Sequence, residues 1–145
     1  MKAVILAGGR GTRLAPYTHI LPKPMMPVGD RAILEVVLGQ FSRAGISEVT
    51  LAVGHLASLM QAYFGDGSRY NLKITYAYEE KPLGTAGPLA LVEGLTETFL
   101  VANGDIMTLL DLNQLIAFHK EQKTVCTIAS HQRTHKINLG VIEHA

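Results

Sequence analysis

The stretch that decides the fold is Leu6-Ala7-Gly8-Gly9-Arg10-Gly11-Thr12-Arg13-Leu14. It follows Ala3–Ala7, a short continuous apolar run of the kind found in a strand covered on both faces. Three glycines in four positions let backbone N–H groups turn toward an anion with no Cβ in the way. Arg13, and Lys23 further on, can neutralise that anion, Arg by bidentate contact and Lys as a point charge. In an open α/β sheet such a loop lies beyond the C-terminal strand ends, where ligands bind. On the glycines alone, a plain strand-to-loop turn with solvated Arg10 and Arg13 is an equally good reading.

Two familiar glycine motifs fail here. A phosphate-binding P-loop needs Gly-Lys-Ser/Thr, which is absent, and a dinucleotide fingerprint needs a third glycine where Leu14 stands. A nicotinamide dehydrogenase is thereby disfavoured.

Downstream, strand-like and helix-like segments alternate. Ile33–Ala44 has helical apolar spacing with Gly45 behind it as a cap. Glu48–Val53 reads as a strand, Leu56–Phe64 as a helix closed by Gly65-Asp66-Gly67, and Lys73–Tyr78 as a strand. Thr85–Glu93 is expected to be a helix, Thr98–Ala102 a strand, Leu112–Gln122 a helix and Val125–Ala129 a strand, with another starting at Gly140–Glu143. This alternation predicts an α/β fold, a Rossmann-like three-layer sandwich with a mostly parallel sheet. All 145 residues are expected to belong to one domain, cut at its C-terminal side because the chain stops at Ala145.

Composition agrees. Apolar residues make up 48% and charged residues 17%, so a packed core is available and disorder is not indicated. The net charge is +1, but it is unevenly spread. Residues 1–31 carry five basic side chains against one acid, and residues 61–111 carry seven acids against three bases. That distribution suits a small anionic ligand better than a nucleic acid. Cys126 is the lone cysteine, expected to be a buried, inert thiol in a reducing compartment. Met1–Ala7 is too short for a signal peptide and no stretch approaches a membrane span, so a soluble, cytoplasmic protein is expected. The six histidines show no metal-ligand spacing.

Two further segments bear on chemistry. Leu21-Pro22-Lys23-Pro24 sets a lysine between prolines, which stiffens the segment and fixes where the ammonium points. The strand Thr98–Ala102 delivers Asn103-Gly104-Asp105 to the edge of the sheet that carries the glycine loop. A lone aspartate there suits Mg²⁺, which takes one or two carboxylates and fills its other positions with water and phosphate oxygens. Taken alone, a turn aspartate capping the next helix is the commoner reading.

With Gly8-Gly9-Arg10-Gly11-Thr12-Arg13-Leu14 and Lys23-Pro24 both in place, Met1–Val28 resembles the signature of the sugar-phosphate nucleotidyltransferases. Glu79-Glu80-Lys81-Pro82-Leu83-Gly84-Thr85 is similar to that family's base-recognition loop, and the likeness resumes at Leu100–Asp105. The resemblance implies an enzyme that joins a nucleoside triphosphate and a sugar-1-phosphate, releasing pyrophosphate. It implies that Arg13 and the amides of Gly8, Gly9, Gly11 and Thr12 hold the β- and γ-phosphates, Lys23 the α-phosphate region and Asp105 the Mg²⁺. Leu6, Ala7, Gly84, Thr85, Asn103 and Gly104 would frame the nucleotide, with Gly140 against the sugar.

Many relatives carry glutamine where this chain has Glu79, and an acceptor-only carboxylate matches the paired donors of guanine. Guanylyl transfer to mannose-1-phosphate is therefore the favoured specificity. Family members also carry a sugar-phosphate glutamate–lysine segment and a second metal carboxylate past this point. The 145-residue chain is accordingly expected to bind nucleotide but turn over poorly, and to self-associate through an open sheet edge. The alternatives are a catalytically incomplete nucleotide- or NDP-sugar-binding regulatory module, and a molybdopterin-type nucleotidyltransferase, against which Lys23-Pro24 and Pro82–Thr85 argue.

Overall fold

The computed structural model describes residues 1–134, in two compact units: Met1–Leu110 and the segment from Asp111 onward. The strand expected at Gly140–Glu143, and Gly140 itself, lie outside the described residues.

The first unit is built on a parallel four-stranded sheet. β1 (Lys2–Leu6) leads through a loop region to a two-stranded hairpin, β2 (Pro27–Val28) and β3 (Arg31–Ala32), turned at Gly29, whose φ is +64°. Then come α1 (Ile33–Arg43), β4 (Glu48–Val53), α2 (Ala57–Phe64), β5 (Lys73–Tyr78) and β6 (Leu100–Asn103). The strand order is β5-β4-β1-β6 and every pairing in this sheet is parallel. The fold is thus a Rossmann-like α/β fold, as the alternation of elements predicts.

The interior strands explain their own sequences. Ala3, Val4 and Ile5 of β1 and Val49, Leu51, Ala52 and Val53 of β4 are all buried, so successive side chains on both faces are apolar. Leu34, Val37, Leu38 and Phe41 form the buried stripe of α1, spaced three and four apart. At its start the Glu35 carboxylate accepts the Ala32 N–H at 3.0 Å and the Tyr70 hydroxyl at 2.9 Å. At its end the Gly45 N–H donates to Ser42 at 3.0 Å with φ at +77°.

Two expectations fail. The helix read over Thr85–Glu93 is a short 3₁₀ turn, Gly87–Leu91, with Pro88 in its first turn. Pro88 supplies no N–H and disfavours helical backbone in the residue before it, so a helix starting at Thr85 is blocked there and only the short turn forms. The run Val125–Ala129 is no strand: Val125 and Ile128 are exposed, as is Cys126, and no ladder neighbour is paired to it among the described residues. Its β-branched composition marks propensity, and propensity without a pairing partner does not make a strand. The Cys126 thiol is therefore not the buried one expected.

In the second unit, α3 (Leu112–Gln122) begins at Asp111, whose Oδ1 accepts the Asn113 and Gln114 N–H groups at 2.9 and 3.2 Å. His119 Nδ1 lies 2.9 Å from Thr127 Oγ1.

Candidate functional site

Four parallel strands end on one edge of the sheet, and the register decides what meets there. Leu6 pairs with Ala52 on one side and Asn103 on the other, while Val53 pairs with Tyr78. The next residues of each strand therefore converge: Ala7-Gly8 from β1, Gly54 from β4, Glu79 from β5 and Gly104-Asp105 from β6. Backbone bonds extend the ladder one step further, with Ala7 N–H on Ala52, Glu79 N–H on Val53 and Gly104 N–H on Leu6, at 2.8, 2.8 and 2.9 Å.

Gly8 sits in the tightest part of this layer. A Cβ there would overlap Oε1 of Glu79, and a Cβ on Gly54 would lie 3.1 Å from the Gly8 carbonyl oxygen. Glu79 is half-buried, and its Oε2 accepts the Leu83 N–H at 3.3 Å. The carboxylate thus lies against the glycine loop and keeps acceptor capacity for a ligand.

Past Gly8 the loop opens. Nothing lies within 4 Å of a Cβ built on Gly9, and Arg10 and Arg13 are exposed. Gly11 adopts φ +60° and ψ +32°, and the 3₁₀ turn Thr12–Leu14 follows it directly. A left-handed residue followed by right-handed turn residues makes successive N–H groups converge into an anion-binding nest. Lys23 opens another 3₁₀ turn, Lys23–Met25, held by the buried Pro24 and Met25, and its Cβ is 3.3 Å from where a side chain on Gly11 would begin. Its ammonium is paired with the Asp105 carboxylate, the two side chains being 40% and 24% exposed.

These elements enclose a cleft of about 820 Å³, within the usual range for small-molecule sites. Leu6, Ala7, Gly8, Gly9, Gly11, Thr12, Arg13, Lys23, Glu79, Gly84, Thr85, Asn103 and Asp105 all line it. Gly104 does not: it is buried behind the cleft against Ile5 and Ala7, where a side chain would crowd β1. The cleft also has an apolar wall of Leu14, Pro24, Pro82 and Pro88, which the sequence reading passed over. Its signal was available, since prolines beside a glycine loop present rigid apolar surface to whatever occupies the cleft.

The chemistry of the donor set fits Mg²⁺ in one way only. No group of three or more His, Cys, Asp or Glu side chains that could hold a metal occurs among the described residues. Asp105 offers a single carboxylate, so a cation held there would need its remaining ligands from water and phosphate oxygens, as Mg²⁺ has at triphosphate sites.

Comparison with known proteins adds the following. A family model described as nucleotidyl transferase matches residues 2–145. A mannose-1-phosphate guanylyltransferase of Mycobacterium tuberculosis is 42% identical over 128 residues, covering 87% of this chain and 36% of the relative. A UTP–glucose-1-phosphate uridylyltransferase of Synechocystis is 36% identical over 141 residues, covering 88% and 36%. A structure from Bacillus anthracis, described as a glucose-1-phosphate thymidylyltransferase in complex with a sucrose, superposes with a TM-score of 0.76 at 28% identity, covering 85% of this chain and 51% of that one. The chain thus spans little more than a third of these two relatives and about half of the solved neighbour.

Proposed function

The chain belongs to the nucleotidyl transferase family, and from that premise we propose that it serves the joining of a nucleoside triphosphate to a sugar-1-phosphate, giving an NDP-sugar and pyrophosphate. The observation that carries this reading is the convergence of a glycine nest, a proline-held lysine and a strand-end aspartate on one cleft. Relatives named for guanylyl and for uridylyl transfer are both similar to the chain, so membership alone leaves the base open.

The phosphate oxygen of a sugar-1-phosphate is ionised at neutral pH and is itself the nucleophile, so no general base is needed. The work left for the protein is positioning and charge neutralisation at the α-phosphate and the leaving pyrophosphate. The amides of Gly9, Gly11 and Thr12 with Arg13 hold the β,γ-phosphates, and Lys23 exchanges Asp105 for the α-phosphate. Asp105 would hold Mg²⁺, which supplies Lewis-acid neutralisation of phosphate oxygens. Gly140 remains a candidate sugar contact. Chemistry of this kind belongs in the cytoplasm, where nucleoside triphosphates are made; among the described residues no helix is long and apolar enough to cross a membrane.

Glu79 makes guanine the favoured base. Guanine presents N1–H and the 2-amino group side by side, and a carboxylate only accepts. Uracil pairs a donor with two acceptors, which suits an amide. Competition binding of GTP, UTP, dTTP and CTP to the chain is the test. GTP should bind most tightly, and Glu79→Gln should cut its advantage roughly tenfold or more, as expected for a charge-assisted hydrogen bond. Tighter UTP than GTP in the parent overturns the base assignment, and failure to bind any of the triphosphates overturns the transfer reading.

A further inference from the structure

Thr18 is a buried polar side chain, 2% exposed, in the 3₁₀ turn Tyr17–His19. A threonine with no visible role is expected at the surface, so its burial needs a reason. Its two branches both face Gly11. The hydroxyl donates to the Gly11 carbonyl at 3.1 Å, and the methyl lies 2.8 Å from where a Cβ on Gly11 would stand. Behind it, the Thr18 carbonyl accepts from His55 Nε2 at 3.1 Å, in the tautomer that carries the proton there. His55 follows the end of β4, so this chain of bonds ties the loop to the sheet.

The geometry has a consequence for the amides. The Gly11 carbonyl also accepts the Leu14 N–H at 2.8 Å, so both of its lone-pair directions are used. In a planar trans peptide the C=O and the following N–H point in opposite directions. Fixing the Gly11 carbonyl on Thr18 and Leu14 therefore fixes the Thr12 N–H on the opposite side. Thr12 opens the turn, and its N–H has no acceptor within it. The methyl, meanwhile, allows only glycine at position 11, the residue whose left-handed backbone makes the nest.

We propose that Thr18 is a positioning residue for the triphosphate: it touches no ligand and holds the Gly11–Thr12 peptide in the orientation that binds the phosphates. This rests on reading the glycine loop as the triphosphate cradle. The test is calorimetric titration of the full chain with the nucleoside triphosphate it binds most tightly, with inorganic tripolyphosphate, and with the matching nucleoside. Thr18→Val keeps the methyl and loses the hydroxyl; it should weaken triphosphate and tripolyphosphate by about tenfold, the size of one lost hydrogen bond, and leave the nucleoside unchanged. Thr18→Ser keeps the hydroxyl and should bind both anions within a factor of about three of the parent, allowing for the lost methyl contact. Equal anion binding by Thr18→Val and the parent overturns the proposal, as does a loss shared equally by the nucleoside, which a merely structural role produces. If Thr18→Val does not fold, Thr18→Ser against Thr18→Ala isolates the hydroxyl: weaker anion binding by Ala supports the proposal and equal binding overturns it. A parent that binds neither anion sinks the cradle reading and the proposal together, whereas a parent that binds with Thr18→Val unaffected sinks the proposal alone.

Discussion

Replacing Asp105 with asparagine should change triphosphate binding in opposite directions with and without Mg²⁺. Without metal, the carboxylate holds the Lys23 ammonium and repels incoming phosphate. Asparagine removes both effects, so binding in chelator should tighten. The ion pair is partly solvated, with side chains 40% and 24% exposed. It therefore sits near the top of the range for exposed pairs, roughly 0.2–1 kcal/mol, and frees at most about a fivefold gain. That gain should shrink with added salt, because the Debye length falls from about 30 Å at 0.01 M to about 10 Å at 0.1 M. With Mg²⁺ the order reverses. The parent should gain tenfold or more from the cation, on the order of 1.4 kcal/mol, while the variant keeps only the small effect of Mg²⁺ on the free triphosphate. The chain has no tryptophan, so isothermal calorimetry in EDTA and in Mg²⁺ is the assay of choice. An identical Mg²⁺ enhancement in the two proteins refutes the metal assignment. Weaker binding by the variant in EDTA refutes the view that Asp105 restrains Lys23.

Two further outcomes follow from the loop and the sheet. Gly11→Ala forces a side chain into φ +60° and against Thr18, at a combined cost of about 2 kcal/mol, which should lower Tm by roughly 4–8 °C in thermal denaturation. Tyr76, whose hydroxyl donates to the Gly65 carbonyl at 2.7 Å, is pushed up to about 12 by burial. A pKa raised in the folded state gives stability that is complete below about pH 10 and is lost as pH rises toward 12, so Tyr76→Phe should flatten the fall of Tm across that window. An unchanged slope there counts against it.

The sequence made the architecture readable where local pattern and tertiary role agree. The bounds read for β4, β5 and α3 are the observed ones, because each segment carries its full periodicity between turn residues. β1 shifts by one residue at both ends, α1 and α2 by one residue at a single end, and β6 by two residues at its start and one at its end, the ordinary uncertainty of frayed termini. Legibility failed once for want of a paired neighbour and once at a local proline. Val125–Ala129 has strand propensity but no paired neighbour among the described residues, and Thr85–Glu93 has helical apolar spacing interrupted by Pro88. At the site, the glycines, Lys23 and Asp105 announce themselves by residue type. The pairing of Lys23 with Asp105 does not, because only the parallel register of β1 with β6 brings them together. Thr18 was invisible for the same reason: nothing local distinguishes a threonine that buttresses a loop from one that meets water.

The stacking of Gly8, Gly54 and Glu79 at the strand ends ties three distant codons into one choice. Any side chain at position 8 must share its space with whatever residue 79 carries, and position 54 is filled by the backbone of position 8. Substitutions there are therefore epistatic: Gly8→Ala makes the Glu79 carboxylate swing aside, a shift not needed beside a residue trimmed to alanine, and a double-mutant cycle across the pair should depart from additivity. If Glu79 reads the base as proposed, a library that redirects the preference has to vary residues 8 and 79 together.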